Sequence, residues 1–501
     1  MKDIDKKIAK GAAWMVSFKM IDRGVGLLST VILARLLVPE DFGLVAMATI
    51  LIAALQLLIA FSFDVHLIQN PNAGREQFDT AWTLNLLFAV LCGVGLALLA
   101  GVASRFYGEP RLELVIYLLA LSFATLGFSN IGPVIFRREM HFNREFKFLL
   151  GKRMASFLVT VPLAFLLRNY WALVIGQLTG SLVSVVLSYY VSDYRPRFSL
   201  KAKVELFNSS KWLMMNNFLQ FLNGRAAELV IGRLGGAGIL GVYTVASEIS
   251  TLPTTELVAP VNRAAFPGYA RVAENLDALR NSFMNVISMI ALIALPAGIG
   301  IASVADLVVP VALGWKWVAA VPLIQILAIF GVIQALQTNI SYVYLATGKV
   351  AYVTLVGAIQ VVILSVLLIP GVLHWGAIGA AWAFLGTVVL MTPVNQFLIA
   401  RELQLSVATM VLKFVRPLLA SLAMAAAVEG TKRILALLGM DSLYVFALFS
   451  CVFVGALTYV VTLYGLWRIS GSPSGAERTS ISVLASVLHS VKLKISFRNV
   501  D

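Results

Sequence analysis

Apolar residues run through this chain in long unbroken stretches. They do not follow the two-residue alternation of a strand or the one-sided stripe of a surface helix. A helix rises 1.5 Å per residue and the bilayer hydrocarbon is about 30 Å thick, so about 20 mostly apolar residues make one crossing. Runs of that kind fall at 11–35, 43–67, 80–104, 113–136, 146–167, 170–192, 212–233, 239–262, 281–304, 319–345, 350–370, 376–400, 410–429 and 442–467. Continuous runs predict helices rather than barrel strands, because a helix satisfies its own backbone groups in lipid. The pattern predicts an all-α polytopic membrane protein with about 14 transmembrane helices. Two places depart from it: the break at Arg168-Asn169-Tyr170, and the first run, which carries three charges.

Composition agrees. Of 501 residues, 59% are hydrophobic and only 13% charged, about half the usual share in a soluble domain. Mean hydropathy is +0.88. A soluble enzyme, a disordered chain and a disulfide scaffold are excluded. Cys92 and Cys451 lie inside apolar runs and offer no disulfide framework or metal-ligand spacing, so no metal and no cofactor are expected.

The net charge of +14 would suggest nucleic acid in a soluble protein. In a membrane protein its placement decides. With the amino terminus in the cytoplasm, cytoplasmic segments hold 25 of the 39 lysines and arginines, and the opposite side holds 8. The cytoplasmic clusters include Arg137, Arg138, Arg144 and Lys147, and later Arg195, Arg197, Lys201, Lys203 and Lys211. The bias predicts cytoplasmic termini and no nucleic-acid partner. No cleavable signal is expected, since Lys19, Asp22 and Arg23 interrupt the first apolar stretch. In the tail, Leu484, Val487, Leu488 and Val491 have helical spacing beside basic residues; a helix on the anionic leaflet and a disordered tail are both open.

The chain also repeats itself. Trp14 and Trp212 each open a span, and 21 residues later come Arg35 and Arg233. Ala34-Arg35-Leu36 matches Gly232-Arg233-Leu234, and Phe42-Gly43 matches Leu240-Gly241, at an offset of 198 throughout. Six spans per block is an even number, so the blocks are expected to be parallel repeats. The expected organisation is a lobe at 1–193, a cytoplasmic linker at 194–211 and a second lobe at 212–400. Two extra carboxy-terminal helices follow in 401–467, and a cytoplasmic tail in 468–501.

Several strings carry a resemblance. Gly11-Ala12-Ala13-Trp14 with Ala34-Arg35-Leu36-Leu37-Val38-Pro39-Glu40-Asp41-Phe42-Gly43 resembles the opening signature of the polysaccharide-transporter flippases. The similarity is to the branch that exports lipid-linked oligosaccharides for succinoglycan, xanthan or colanic-acid type polymers. Arg137-Arg138-Glu139-Met140-His141-Phe142 is similar to that branch's loop after span four. So are Leu313-Gly314-Trp315-Lys316-Trp317 and Ala320-Val321-Pro322-Leu323 ahead of span ten, with a looser match at Ala346-Thr347-Gly348-Lys349.

The resemblance implies two six-helix lobes around a central cavity, alternating access, and the multidrug/oligosaccharidyl-lipid/polysaccharide superfamily. It implies a multi-pass protein of the bacterial inner membrane that moves undecaprenyl-diphosphate-linked oligosaccharide from the cytoplasmic to the periplasmic leaflet. Implied partners are that substrate, membrane lipids, and a polysaccharide polymerase with export machinery.

Charge inside a span costs about 2.5–3.5 kcal/mol on insertion scales, so each such residue asks for a reason. Lys19, Asp22 and Arg23 lie three and four apart, on one face of the first helix. In the seventh, Arg225 and Glu228 are three apart, with Asn216, Asn217, Gln220 and Asn223 nearby. Glu248 lies in span eight, ahead of an expected kink at Pro253. Lys19, Arg23 and Arg225 are candidates for the diphosphate, arginine being able to grip phosphate oxygens bidentately. Asn216, Asn217, Gln220, Asn223, Gln334 and Gln337 are candidates for sugar hydroxyls. Asp22, Glu228 and Glu248 are candidate ion-coupling or cavity carboxylates. The bland alternative is that Lys19–Asp22 and Arg225–Glu228 are self-neutralising pairs that lock helices together.

Two other functions compete. A multidrug/cation antiporter of the same superfamily would favour a carboxylate-dominated cavity, yet the first helix carries two bases to one acid. A membrane-bound glycan polymerase or glycosyltransferase would keep a sizeable catalytic loop, and the sequence has no loop much beyond about twenty residues. Leu149-Leu150-Gly151-Lys152-Arg153 lacks the first glycine and the hydroxyl of a phosphate-binding loop, so ATP hydrolysis is not expected and an ion gradient is the expected drive.

Overall fold

The apolar runs form helices nearly end to end. The computed structural model describes residues 2–59, 63, 67–68, 70, 73–440 and 443–473; within them, the side chains of 203–223 and a few other positions fall outside the description. In chain order the helices are α1 (Lys2–Leu36), α2 (Pro39–Ile59), α3 (Arg75–Tyr107), α4 (Arg111–Gly127), α5 (Val134–Arg138), α6 (Phe142–Leu167) and α7 (Trp171–Val191). They continue as α8 (Lys203–Ser250), α9 (Ala259–Val272), α10 (Leu276–Val308), α11 (Ala320–Ala346), α12 (Val350–Glu402), α13 (Val407–Leu437) and α14 (Tyr444–Ile469). Among the described residues, nine helical segments are long and apolar enough to cross a membrane.

Two of these helices contain a reversal that hydropathy does not show. In α8, Gly236 has φ 76° and ψ 179°; in α12, Gly376 has φ 57° and ψ −135°. Both lie in a backbone region that glycine enters without a Cβ penalty. Each long helix therefore supplies two predicted spans, and the chain doubles back so closely that a Cβ on Gly379 would overlap the carbonyl of Gly371. The predicted break at Arg168 is a left-handed helix end, with φ 52° and its N–H on the Ala164 carbonyl. The predicted fourth span differs: its helix stops at Gly127, and a turn through Ser129 and Asn130 leads into the short α5. The apolar side chains there continue past Gly127, where the helix ends, and Pro133 stands at the start of α5, where its missing N–H costs nothing. At Pro253 the expected kink is a π-helical turn, Pro253–Val258.

One compact unit comprises residues 1–244 with 312–317; the other comprises 245–311 and 318–501. In the first, α1 lies on α6, and α4 packs against α2, α3 and α7. Small residues let these backbones approach, as expected where lipid gives helices no hydrophobic reason to associate. A Cβ on Gly93 would stand 2.9 Å from the Ala124 Cβ and 3.0 Å from the Ala120 carbonyl oxygen. Residues 192–200 carry no regular structure and are strapped to α3: the Tyr194 hydroxyl and the Arg197 N–H both donate to buried Asp79, and the Ser199 N–H donates to Thr83 Oγ1 at 3.0 Å.

In the second unit, α11 packs on α10 and α12, and α13 and α14 lie against α10. Phe283, Ile287, Val343, Ile399, Leu403 and Met410 are core residues there. Polar links between helices include Asn262 Nδ2, which donates to Thr338 Oγ1 at 2.8 Å, and the Tyr269 hydroxyl, which donates to Asn339 Oδ1 at 3.0 Å. Outward positions such as Leu98, Leu166, Val186, Val366, Phe453 and Val460 are exposed, which suits a chain whose solvent is lipid.

Candidate functional site

The repeat detected in the sequence becomes a contact in the first unit. The chain turns between α1 and α2 at Leu37-Val38, and it turns in α8 at Gly236, 198 residues on. A Cβ on Gly43 would overlap the carbonyl oxygen of Ala237, and a Cβ on Gly241 would overlap that of Pro39. Pro39 and Ala237 are themselves 198 apart, so residue and target exchange places as across a two-fold axis. A third contact fits the same relation: Gly238, the counterpart of Glu40, lies 3.1 Å from Glu40 Oε1, measured from its would-be Cβ. Backbone touches backbone at this crossing, which explains glycine at both equivalent positions.

Aromatic side chains close over both turns. Trp317 is fully buried, donates from Nε1 to the Ala34 carbonyl at 2.8 Å, and meets the Phe42 ring edge-on at 5.1 Å. Arg35 Nε donates to the Ala312 carbonyl at 3.1 Å beside Gly314, whose φ is 99°. On the other turn, Tyr107 sits where a Cβ on Gly232 would come within 2.8 Å of its ring, and the Arg233 guanidinium lies over Phe106 at 5.4 Å. Gly232 is the counterpart of Ala34, and Arg233 of Arg35. The matched arginines thus hold segments that follow α10 in one case and end α3 in the other.

Asp41 fixes the first turn. It is 6% exposed and accepts from the N–H of Val38 at 3.2 Å and of Tyr170 at 3.1 Å. Burial raises its pKa, against the lowering effect of those two donors and of Arg111.

The predicted charges on the first helix are distributed differently from their spacing. Asp22 Oδ1 pairs with Arg153 Nε on α6 at 3.0 Å, so the i, i+3 partnership with Lys19 is not the one formed. Gly26 makes room for that guanidinium: a Cβ there would lie 2.8 Å from an Arg153 nitrogen. Lys19 is exposed and Arg23 half-buried. Arg225 and Glu228 do pair, at 2.7 and 2.8 Å from one guanidinium nitrogen to both carboxylate oxygens. Glu228 is the more buried of the two. The side chains of Asn216, Asn217, Gln220 and Asn223 lie outside the described residues.

In the second unit, Glu248 is half-buried. Gln334 and Gln337 line one cavity of about 110 Å³, together with Thr338, Ser341, Gln360 and Asn395. Gln337 bridges helices there, accepting from Asn395 Nδ2 at 2.6 Å and donating to Thr392 Oγ1 at 2.5 Å. Asn395 and Gln360 were not singled out in the sequence, and Arg153 was noted only as a charge near a cytoplasmic helix end. The partners of Asn395 and Arg153 lie far off in the chain.

The family model described as "Polysaccharide biosynthesis protein" matches residues 32–322, more than half of the chain. The chain is 26% identical over 404 residues to the lipopolysaccharide biosynthesis protein WzxC of Escherichia coli, covering 79% of this chain and 81% of that one. It is 26% identical to the teichuronic acid biosynthesis protein TuaB of Bacillus subtilis (85% and 89% covered). It is 23% identical to the succinoglycan biosynthesis transport protein ExoT of Rhizobium meliloti (67% and 69%). Among solved structures, the lipid II flippase MurJ in an inward closed conformation shares the fold with a TM-score of 0.74 at 14% identity, covering 91% of this chain and 99% of that one. An inward-facing multidrug transporter of the MATE family, described as of the MOP superfamily, has a TM-score of 0.59 at 15% identity, covering 77% and 94%. The chain belongs to this polysaccharide biosynthesis family, as one of the polysaccharide-transporter flippases.

Proposed function

We propose that this flippase carries undecaprenyl-diphosphate-linked oligosaccharide units from the cytoplasmic to the periplasmic leaflet of a bacterial inner membrane. Both termini stand in the cytoplasm, as the 25-to-8 division of basic residues supports. In this reading the six-helix lobes are 1–193 and 212–400, joined by a cytoplasmic linker at 194–211, with two further helices in 401–467. The observation that carries the reading is the reciprocal crossing at Gly43 and Gly241 in a chain of this family. Two equivalent hairpins that meet through bare backbone can part and meet again without unfolding, which alternating access requires.

Lys19, Arg23 and Arg225 bind the diphosphate, and Asn216, Asn217, Gln220, Asn223, Gln334 and Gln337 serve the sugar hydroxyls. Asp22, Glu228 and Glu248 are the carboxylates available for ion coupling. Their pairing with Arg153 and Arg225 leaves no carboxylate excess at Asp22 or Glu228, which favours an anionic lipid over a cationic drug. The test is made in cells lacking the gene. Restoring wild-type protein should clear lipid-linked oligosaccharide from the cytoplasmic leaflet and restore polymer. Arg23→Ala and Arg225→Ala should leave it accumulated, with the protein present in the membrane. Full clearance by both variants would remove the diphosphate assignment.

A further inference from the structure

A second polar site lies inside the first unit, away from the charges of α1. An open cavity of about 510 Å³ is lined by α3, α4, α6 and α7 near the α5 turn. That volume is in the range of small-molecule sites. Its apolar walls include Phe123, Leu126 and Leu149.

Its polar side is unusual for a span. Glu145 is 4% exposed, and its Oε1 accepts from Arg137 Nε at 2.5 Å. Its Oε2 is buried with no hydrogen-bond donor, and the buried Ser129 Oγ is likewise without a partner. Leaving such atoms unmet is costly, more so for a charged group, unless something else supplies the bond. Lys152 lies seven residues beyond Glu145, two turns along the same face of α6, and lines the same cavity. Its ammonium stands 5.2 Å over the Phe148 ring and has no carboxylate partner among the described residues. Among the described lining residues there are two cations, Arg137 and Lys152, and one carboxylate, Glu145.

We propose that this cavity binds the head group of a lipid phosphate that carries neighbouring hydroxyls. Lys152, with Arg137 behind it, neutralises the phosphate. Glu145 Oε2 accepts a hydrogen bond from a hydroxyl, and Ser129 Oγ makes a second polar contact. The apolar walls take the first part of the chain. A bare phosphate would leave Glu145 repelled, and a neutral sugar would leave Lys152 unanswered; the two together select a phosphate with adjacent hydroxyls. Such chemistry comes from two sources, a glycerophospholipid of the bilayer or a lipid-linked sugar phosphate. The site stands apart from the transport reading, because it uses no residue assigned to the diphosphate above.

The experiment is lipid binding to the purified full chain in detergent, read by native mass spectrometry. Phosphatidylglycerol and phosphatidylmethanol are the probes, having the same phosphodiester charge with and without hydroxyls. Wild-type protein should prefer phosphatidylglycerol. Lys152→Gln should weaken both by about tenfold or more. Glu145→Gln should bring the two affinities together, and Ser129→Ala provides the same readout if the Glu145 variant fails to fold. Competition by a polyprenyl-diphosphate sugar assigns the site to the lipid-linked source; its absence, with Lys152-dependent phosphatidylglycerol binding, assigns it to the bilayer lipid. Binding that is unchanged in Lys152→Gln, or equal for both probes in wild type, overturns the proposal.

Discussion

Gly43 and Gly241, 198 residues apart and equivalent in the repeat, each face the backbone of the hairpin that the other belongs to. The reciprocity makes a quantitative demand. Leucine at either position forces the crossing apart, and an overpacked contact of this sort costs about 1–3 kcal/mol. Gly43→Leu and Gly241→Leu should therefore lower thermal stability in detergent by similar amounts and reduce polymer export by about tenfold or more. Full export from both variants would show that the crossing plays no part in transport.

Trp317 tests the cover on the first turn. Trp317→Phe removes the bond to the Ala34 carbonyl while keeping most of the buried ring, and should cost about 0.5–1.5 kcal/mol. Trp317→Ala empties a fully buried site and should cost about 3–5 kcal/mol. Equal melting shifts for the two would mean that packing matters less at this position than the single hydrogen bond.

Much of this fold could be read from the chain. Twenty-residue apolar runs have one physical solution in lipid, and the 198-residue offset marked the equivalent turns. What the runs concealed was the reversal at Gly236 and Gly376, because hydropathy is blind to the sign of φ. The repeat strings contained Gly43 and Gly241, but a string match does not say that its two copies touch. The site was less legible. Spacing offered Asp22 a partner on its own helix, Lys19; its actual partner Arg153 is on another helix, 131 residues on. Spacing did not single out Asn395 or Glu145, since their meaning lies in Gln337 and in a cavity built from several helices.

Asp41 predicts a pH dependence. Its pKa in the folded chain is raised above the ordinary carboxylate value of 3.8, with burial the largest cause. For a raised carboxyl, the stability contribution is complete below the unfolded pKa and is lost as pH rises through the folded one. Wild-type protein should therefore lose stability relative to Asp41→Asn as pH rises from below 3.8 through the raised value. A wild-type-minus-variant difference in melting temperature that stays flat across that window would contradict the assignment.

Arg225 and Glu228 separate a structural pair from a substrate group. The double variant Arg225→Glu with Glu228→Arg keeps the ion pair on the helix but moves the guanidinium by about one turn. Stability should return to within about 1 kcal/mol of wild type, as befits a pair with an exposed arginine, while export stays low. Export restored along with stability would reduce the pair to a helix brace.

The central claim concerns movement of a lipid-linked glycan, and one measurement meets it directly. Vesicles reconstituted with the purified chain and a fluorescent undecaprenyl-diphosphate oligosaccharide are treated with a membrane-impermeant quencher. Wild-type protein should expose a further fraction of the label, up to nearly all of it, where protein-free vesicles expose only the outer leaflet; Arg23→Ala should behave like the protein-free vesicles. Label in wild-type vesicles that stays half-protected, as without protein, would contradict the account.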